Sequence, residues 1–117
     1  MTELDEIIKN INQFRIDRDW KQFHNPKNLA ISLSLEANEV LEHFQWKTLE
    51  ESRKLSSEKK TQLRQEIADV AVYLLYLCDE LDINLVESIK EKMEINNKKY
   101  PVEKSKGKST KYNEFDK

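Results

Sequence analysis

The sequence predicts an all-α protein, a four-helix bundle-like subunit. Hydrophobic residues make up 38% and charged residues 36% of its 117 residues, a balance typical of amphipathic helices with charged outer faces. A single glycine and two prolines leave few positions that would break a helix. Apolar residues recur every three to four positions along four long segments, which is the period of a helix with one buried face. Together these observations favour helices over any sheet architecture.

The elements follow in order along the chain. Thr2 is the expected N-cap of the first helix, with Asp5 three residues later, and Pro26 opens the second helix, where its missing N–H is harmless. Ser57 is the expected N-cap of the third helix, and Pro101 stops the fourth. The predicted helices span residues 2–18, 26–46, 58–81 and 85–100, with a short helical turn over 48–54. The apolar seam predicted for the third helix is Leu63, Ile67, Val70, Leu74, Leu77 and Leu81.

We predict a helical domain over residues 1–101, which would carry any catalytic site, and a flexible basic C-terminal tail over residues 102–117. Four short helices leave apolar surface unused, so we expect a homo-oligomer. The expected partner faces carry Leu4, Ile7, Ile11, Tyr73 and Tyr76.

Charge and composition indicate which cellular compartment and which classes of binding partner to expect. The net charge of −2 shows no basic field for a nucleic acid polymer. Cys78 is the only cysteine, which suits a reducing cytoplasm. The polar start of the chain does not resemble a signal peptide, and no apolar run approaches the ~18 residues of a membrane span. We therefore expect a cytoplasmic protein with no membrane partner.

Two pairs of acidic residues stand at unusual positions in the helical pattern. Glu36 lies within the apolar stripe of the second helix, and Glu39 follows one turn later. Glu66 and Asp69 repeat the pair beside the seam of the third helix and share a face with Tyr73. If these two helices pack antiparallel, the four carboxylates meet across a seam. Four oxygen ligands suit a hard cation, Mg²⁺ or Mn²⁺.

Other interpretations remain open from the residues alone. Acidic pairs three apart are common on solvated helix faces, so a non-enzymatic helical protein-interaction module is the alternative from another class. A di-iron site is disfavoured because it needs Glu-x-x-His, and Val40 stands three residues before His43. His43 and Cys78 are assigned structural roles. Trp20 and Phe23, in the link after the first helix, would on this view plug the end of the bundle.

Several motifs in order along the chain resemble one family. They are EANE at 36–39, EIAD at 66–69, RDWKQFHNPKN at 18–28, FQWK at 44–47, KMEIN at 92–96, KYP at 99–101 and KYNE at 111–114. This set resembles the MazG-type all-α nucleoside triphosphate pyrophosphohydrolases, and within them the dCTP pyrophosphatase branch. The resemblance covers nearly the whole chain.

The resemblance implies Mg²⁺-dependent hydrolysis of a (deoxy)nucleoside triphosphate, dCTP or a related dNTP, to the monophosphate and pyrophosphate. The implied metal ligands are Glu36, Glu39, Glu66 and Asp69, with Glu39 our choice for accepting the proton of the attacking water. The implied base and sugar positions are Trp20, Gln22, Phe23, His24, Trp46 and Tyr73. Mn²⁺ is the second choice of metal.

The resemblance and the charge pattern add three further expectations. Lys92, Asn96 and Lys99 are candidates for phosphate contacts. A first-helix histidine of the branch is replaced here by Ile11, so a looser base preference than strict dCTP is expected, and diphosphates or oxidised nucleotides remain alternative substrates. The branch implies a dimer or a tetramer of paired dimers.

Overall fold

The computed structural model describes residues 1–114, and every regular element in that range is helical. The predicted all-α class is therefore confirmed. The helices are α1 (Glu3–Asp17), α2 (Pro26–Glu42), α3 (Leu49–Arg53), α4 (Ser57–Glu80), α5 (Leu85–Lys99) and α6 (Val102–Ser105). Two 3₁₀ turns lie at Lys21–Phe23 and Tyr112–Glu114.

Local capping chemistry defines the helix starts. The Asp5 N–H donates to the Thr2 hydroxyl at 3.1 Å, and the Thr2 N–H donates to the Asp5 carboxylate at 3.0 Å, which completes a capping box at α1. Pro26 opens α2 as predicted. The predicted cap of α4 is wrong by one residue, because Ser56 and not Ser57 has the extended backbone that lets its hydroxyl accept the Lys59 N–H at 3.2 Å.

The second helix ends earlier than predicted, at Glu42 instead of Trp46. The His43 N–H donates to Val40 O, and the Phe44 N–H donates to Leu41 O, so the bonds now span three residues. This tightening into successive turns is a common way to end a helix, and it carries residues 43–46 off the helical path.

The chain divides into two compact units, Met1–Asp82 and Ile83–Lys117. In the first unit, α2 packs along α4. His24, before α2, lies against Tyr76 with ring centroids 5.3 Å apart, whereas His43, at the end of α2, contacts Glu66. Moving forward along α2 therefore means moving backward along α4, so the two helices are antiparallel.

The core of the first unit is small and partly differs from the predicted seam. Leu29, Leu63 and Leu75 are buried, and so are Tyr76 and Cys78. By contrast, Ile67 and Leu81 of the predicted seam are about half exposed. The predicted partner face is wrong at Tyr76, because its hydroxyl donates to Ile11 O of α1 at 2.8 Å and its ring is covered.

One charged side chain completes this core. Arg15 of α1 is 0% exposed, and its Nη2 donates to Asp79 Oδ2 at 2.8 Å on α4. Its Nη1 forms an ion pair with Glu80 Oε1 at 2.9 Å, and its Nε donates to Asn12 Oδ1 at 2.8 Å. A buried guanidinium is tolerated because these partners replace its lost hydration.

Much apolar surface stays exposed in the first unit. Ile7, Phe14, Ile31 and Leu35 are each more than 40% exposed although they lie on helices. Apolar side chains this exposed on helices are available for contact with another protein surface.

The second unit consists of α5, α6 and the turn at Tyr112–Glu114. The Tyr100 and Tyr112 rings meet edge to face with centroids 6.0 Å apart, and the Lys99 ammonium lies 4.7 Å from the Tyr112 ring centroid. The last residues of the predicted tail, 115–117, lie outside the described residues. Among the described helices, none combines the length and apolar character that crossing a bilayer requires.

Candidate active site

The predicted acidic residues lie close together on the facing sides of α2 and α4. Burial raises the pKa of Glu36 above its usual value, and so do the neighbouring Glu39 carboxyl and the charges of Asp69 and Glu66. The Glu36 carboxyl is therefore close enough to interact electrostatically with all three other acids, one on its own helix and two on the opposite helix. The antiparallel packing brings together the four carboxylates that the sequence places on two separate helices.

Tyr73 lies at the edge of this acidic cluster, which we define as Glu36, Glu39, Glu66 and Asp69. Burial raises the pKa of the Tyr73 phenol, and the charges of Glu36 and Asp69 raise it further. The phenol therefore stays neutral and remains a hydrogen-bond donor beside the carboxylates.

The cluster has the donor set that a hard divalent cation needs. Glu36 Oε2 is buried and has no hydrogen-bond partner among the described residues, which is costly for a carboxylate unless a cation completes the site. All four ligand candidates are oxygen donors, which suits Mg²⁺ or Mn²⁺. Within residues 1–114 no three acidic, histidine or cysteine side chains already form a finished coordination group, so binding requires rotation of the carboxylates toward one another.

An aromatic row extends from the cluster toward the link between α1 and α2. Tyr73 and His24 have ring centroids 6.4 Å apart, and His24 and Trp20 follow at 6.5 Å. Trp20 is 44% exposed and Phe23 is 60% exposed, so the alternative in which they plug the end of the bundle is wrong for this subunit. Exposed rings beside a polar cluster offer faces on which a planar ligand can stack.

His24 is the polar member of this row. Burial lowers its pKa below the usual value, and the positive charge of Arg15 lowers it further, although Glu80 opposes both effects. Its Nδ1 is buried and finds no hydrogen-bond partner in the part of the chain that the structure describes. The neutral imidazole can therefore accept or donate one hydrogen bond according to its tautomer.

The link itself is held in shape by its own side chains. Asp19 has a positive φ of 56°, a conformation that asparagine and aspartate tolerate better than most residues. The Gln22 carboxamide donates to Asp19 O at 3.0 Å and to Asp19 Oδ2 at 2.9 Å. In this structure Gln22, predicted as a substrate contact, supports the loop that presents Trp20.

Trp46 lies at the opposite side of the cluster from this row, beyond the end of α2. It is 88% exposed and borders a cavity of about 450 Å³. The other residues around this cavity include Glu39, Glu42, His43, Lys47 and Lys59. The cavity therefore opens directly beside one of the cluster carboxylates.

Lys92, Asn96 and Lys99 lie on α5 and are described with the second unit. Asn96 O accepts the Tyr100 N–H at 2.8 Å, which closes the end of that helix. Their contacts with phosphate stay a prediction.

The contact between His43 and Glu66 was not predicted from the sequence. The His43 Nε2 contacts Glu66 Oε2, although His43 was assigned a structural role. The available signal was the spacing of four between Glu39 and His43, which places both on one side of α2.

Comparison with known proteins places the chain in a family. The MazG-like family model matches residues 31–115. The chain is 35% identical over 114 residues to dCTP pyrophosphatase 1 of Bos taurus, covering 96% of this chain and 68% of that protein. It is 36% identical over 114 residues to dCTP pyrophosphatase 1 of Homo sapiens, covering 96% of this chain and 67% of that protein.

A solved structure shares the fold. The crystal structure of a pyrophosphatase from Archaeoglobus fulgidus superimposes with a TM-score of 0.82 at 43% identity, covering 86% of this chain and 94% of that one. Since the family model spans most of the chain and the relatives match nearly all of it, the chain belongs to the MazG-like family.

Proposed function

We propose that the protein hydrolyses (deoxy)nucleoside triphosphates to the monophosphate and pyrophosphate, with dCTP or related dNTPs as the preferred substrates. The observation that carries the proposal is the acidic cluster itself, in which the buried Glu36 Oε2 has no hydrogen-bond partner within residues 1–114 and the carboxyls of Glu39, Glu66 and Asp69 all act on Glu36. The names of the relatives, dCTP pyrophosphatase 1 and a pyrophosphatase, support the same reaction.

We further infer that the cluster binds a divalent cation, Mg²⁺ first and Mn²⁺ second. A triphosphate carries roughly four negative charges, so carboxylates bind it only through a cation of this kind. When bound, the cation supplies positive charge for the triphosphate and polarises the reacting phosphoryl group. Glu36, Glu39, Glu66 and Asp69 would hold it.

The residues of the chain supply binding and proton transfer. A water oxygen attacks the α-phosphorus, the bond from that phosphorus to the bridging oxygen breaks, and pyrophosphate leaves. Glu39 accepts the proton of the attacking water, since it is a carboxylate of the cluster that also borders the cavity. Two sets of ring faces are available to the base: the aromatic row of Trp20, His24 and Tyr73 on one side of the cluster, and Trp46 on the other.

The active unit is proposed to be a cytoplasmic homo-oligomer, a dimer or a tetramer. The support is the exposed apolar surface of α1 and α2 and the 88% exposure of Trp46, a ring that would gain most of its burial from a second copy or from the substrate.

The test is pyrophosphate release from a panel of dNTPs, NTPs, diphosphates and oxidised nucleotides in the presence of Mg²⁺. We expect release from dNTPs, and a fall of at least about 100-fold in kcat/KM for Asp69→Asn, since even residues behind metal ligands cost 10- to 100-fold when replaced. Glu58→Gln, an exposed acid in the first turn of the same helix, is the matched control and should retain activity.

Two results would count against the proposal. Absence of metal-dependent pyrophosphate release from every nucleotide would favour the interaction-module alternative. Full activity of both Glu39→Ala and Asp69→Asn would show that the reaction takes place elsewhere.

A further inference from the structure

His43 occupies a position between the two acidic pairs. It is the C-cap of α2, and its side chain is 15% exposed. Its Nε2 contacts Glu66 Oε2 on α4, and the Glu66 side chain is 28% exposed. Because His43 follows Glu39 by four residues, it lies on the side of α2 that carries the cluster.

Among the described residues, His43 makes the one polar contact recorded for this Glu66 oxygen. Glu66 Oε2 is buried and accepts no hydrogen bond of standard geometry within residues 1–114. Glu66 and Glu36 carry like charges that act on each other across the two helices, and this repulsion favours movement of Glu66 away from Glu36. Without an opposing contact, rotation of Glu66 toward solvent would relieve this repulsion.

We propose that His43 is a positioning residue, which holds the Glu66 carboxylate toward the other three acids of the cluster. This contact thereby raises the affinity of the cluster for its divalent cation. The inference rests on the metal site of the proposed function. An imidazole with a proton on Nε2 is a directional donor on a side chain with only two torsions, so it restricts a carboxylate more than a flexible lysine would. Partners of this kind behind metal ligands commonly change metal affinity by 10- to 100-fold.

The geometry distinguishes this role from direct ligation. Nε2 is the ring nitrogen that faces the cluster, and it is already taken up by Glu66 Oε2. A histidine that coordinated the cation would have to give up this contact.

The experiment measures Mn²⁺ binding to the full-length protein without nucleotide, by calorimetry and by electron paramagnetic resonance. The matched pair is His43→Gln and His43→Asn. The glutamine carboxamide nitrogen reaches the place of Nε2, whereas asparagine is one methylene shorter and falls short of Glu66. We expect His43→Asn to weaken Mn²⁺ binding by about 10- to 100-fold and His43→Gln to stay within about threefold of the wild type.

A control on the second histidine separates this effect from a general loss of structure. His24→Asn removes a ring that faces Trp20, Tyr73 and Tyr76 and contacts no acid of the cluster, so its Mn²⁺ affinity should equal that of the wild type. The melting temperature of the metal-free protein, measured for every variant, should not follow the order of the Mn²⁺ affinities.

Three outcomes would overturn the inference. Mn²⁺ affinity unchanged in His43→Asn would remove any role for the contact. Equal losses in the glutamine and asparagine variants, in step with their melting temperatures, would make His43 structural. Nitrogen hyperfine coupling to Mn²⁺ that disappears in His43→Asn would make it a ligand. Pyrophosphate release is assayed separately, so wild-type protein that binds Mn²⁺ in a His43-dependent way but releases none would refute the proposed function and leave this inference standing.

Discussion

Replacement of Arg15 by methionine tests how much the buried ion pairs of Arg15 stabilise the first unit. Methionine keeps an unbranched stem but removes the guanidinium that pairs with Asp79 at 2.8 Å and Glu80 at 2.9 Å. Losing one partner of a buried ion pair costs about 3–5 kcal/mol, since the remaining charge is left without compensation. Here the acid side chains are 38% and 23% exposed, so water takes over part of that role. We therefore expect a loss of about 2–4 kcal/mol in the free energy of unfolding.

Denaturant unfolding of Arg15→Met and wild type at one protein concentration measures this loss, since subunit association would couple to unfolding. Lys21→Met is the matched control. Its Nζ lies 3.9 Å from Glu80 Oε1 and its side chain is 47% exposed, so we expect less than about 1 kcal/mol. A loss below about 1 kcal/mol for Arg15→Met, or equal losses in both variants, would show that the buried ion pairs of Arg15 do not stabilise the first unit.

Three further predictions follow from the site. The pKa of Glu36 is raised in the folded state, so the contribution of this carboxyl to stability is present below the unfolded pKa of about 4.5 and is lost as pH rises through the folded pKa. Glu36→Gln should therefore raise the melting temperature of the chelator-treated protein at pH 7 and change it little at pH 4. A lower melting temperature at pH 7 would contradict this. The pKa of His24 is lowered in the folded state, so the contribution of this imidazole to stability is present above about pH 6.5 and is lost as pH falls through the folded pKa. NMR titration of the ring protons should show a low pKa that moves upward in Arg15→Met. An unchanged titration curve would argue against the Arg15 charge as a cause. Trp46→Ala should raise KM by about 5- to 150-fold and leave kcat nearly unchanged, which corresponds to a loss of about 1–3 kcal/mol of base stacking. An unchanged KM in steady-state kinetics would exclude Trp46 from substrate binding.

The differences between prediction and structure have identifiable causes. Helix starts at Thr2 and Pro26 were predictable because caps act within three residues. The end of α2 was not, because the periodic pattern continues through residues 43–46, where the N–H groups of His43 and Phe44 already donate to carbonyls only three residues back. Periodicity predicts Tyr76 on an open partner face because it cannot show that the Tyr76 hydroxyl donates to Ile11 O of α1.

The exposure of the apolar residues illustrates a second limit. Ile67 fits the seam spacing of α4 as well as Leu63 does, yet Leu63 is buried and Ile67 is about half exposed. A heptad pattern specifies which residues share a face, but not how much of that face a neighbouring helix covers.

By itself, the sequence determined the all-α class, the chemistry of the acid pairs and their placement on two helices, because helical period and capping are local properties of the chain. Only the tertiary structure decided which groups meet. The antiparallel register of α2 on α4 brings Glu36 into the field of Asp69 and Glu66 and sets His43 on Glu66. The packing of α1 on α4 places Arg15 against Asp79 and Glu80. These contacts join residues far apart in the chain, and their register depends on the packing of whole helix faces, which no local pattern encodes.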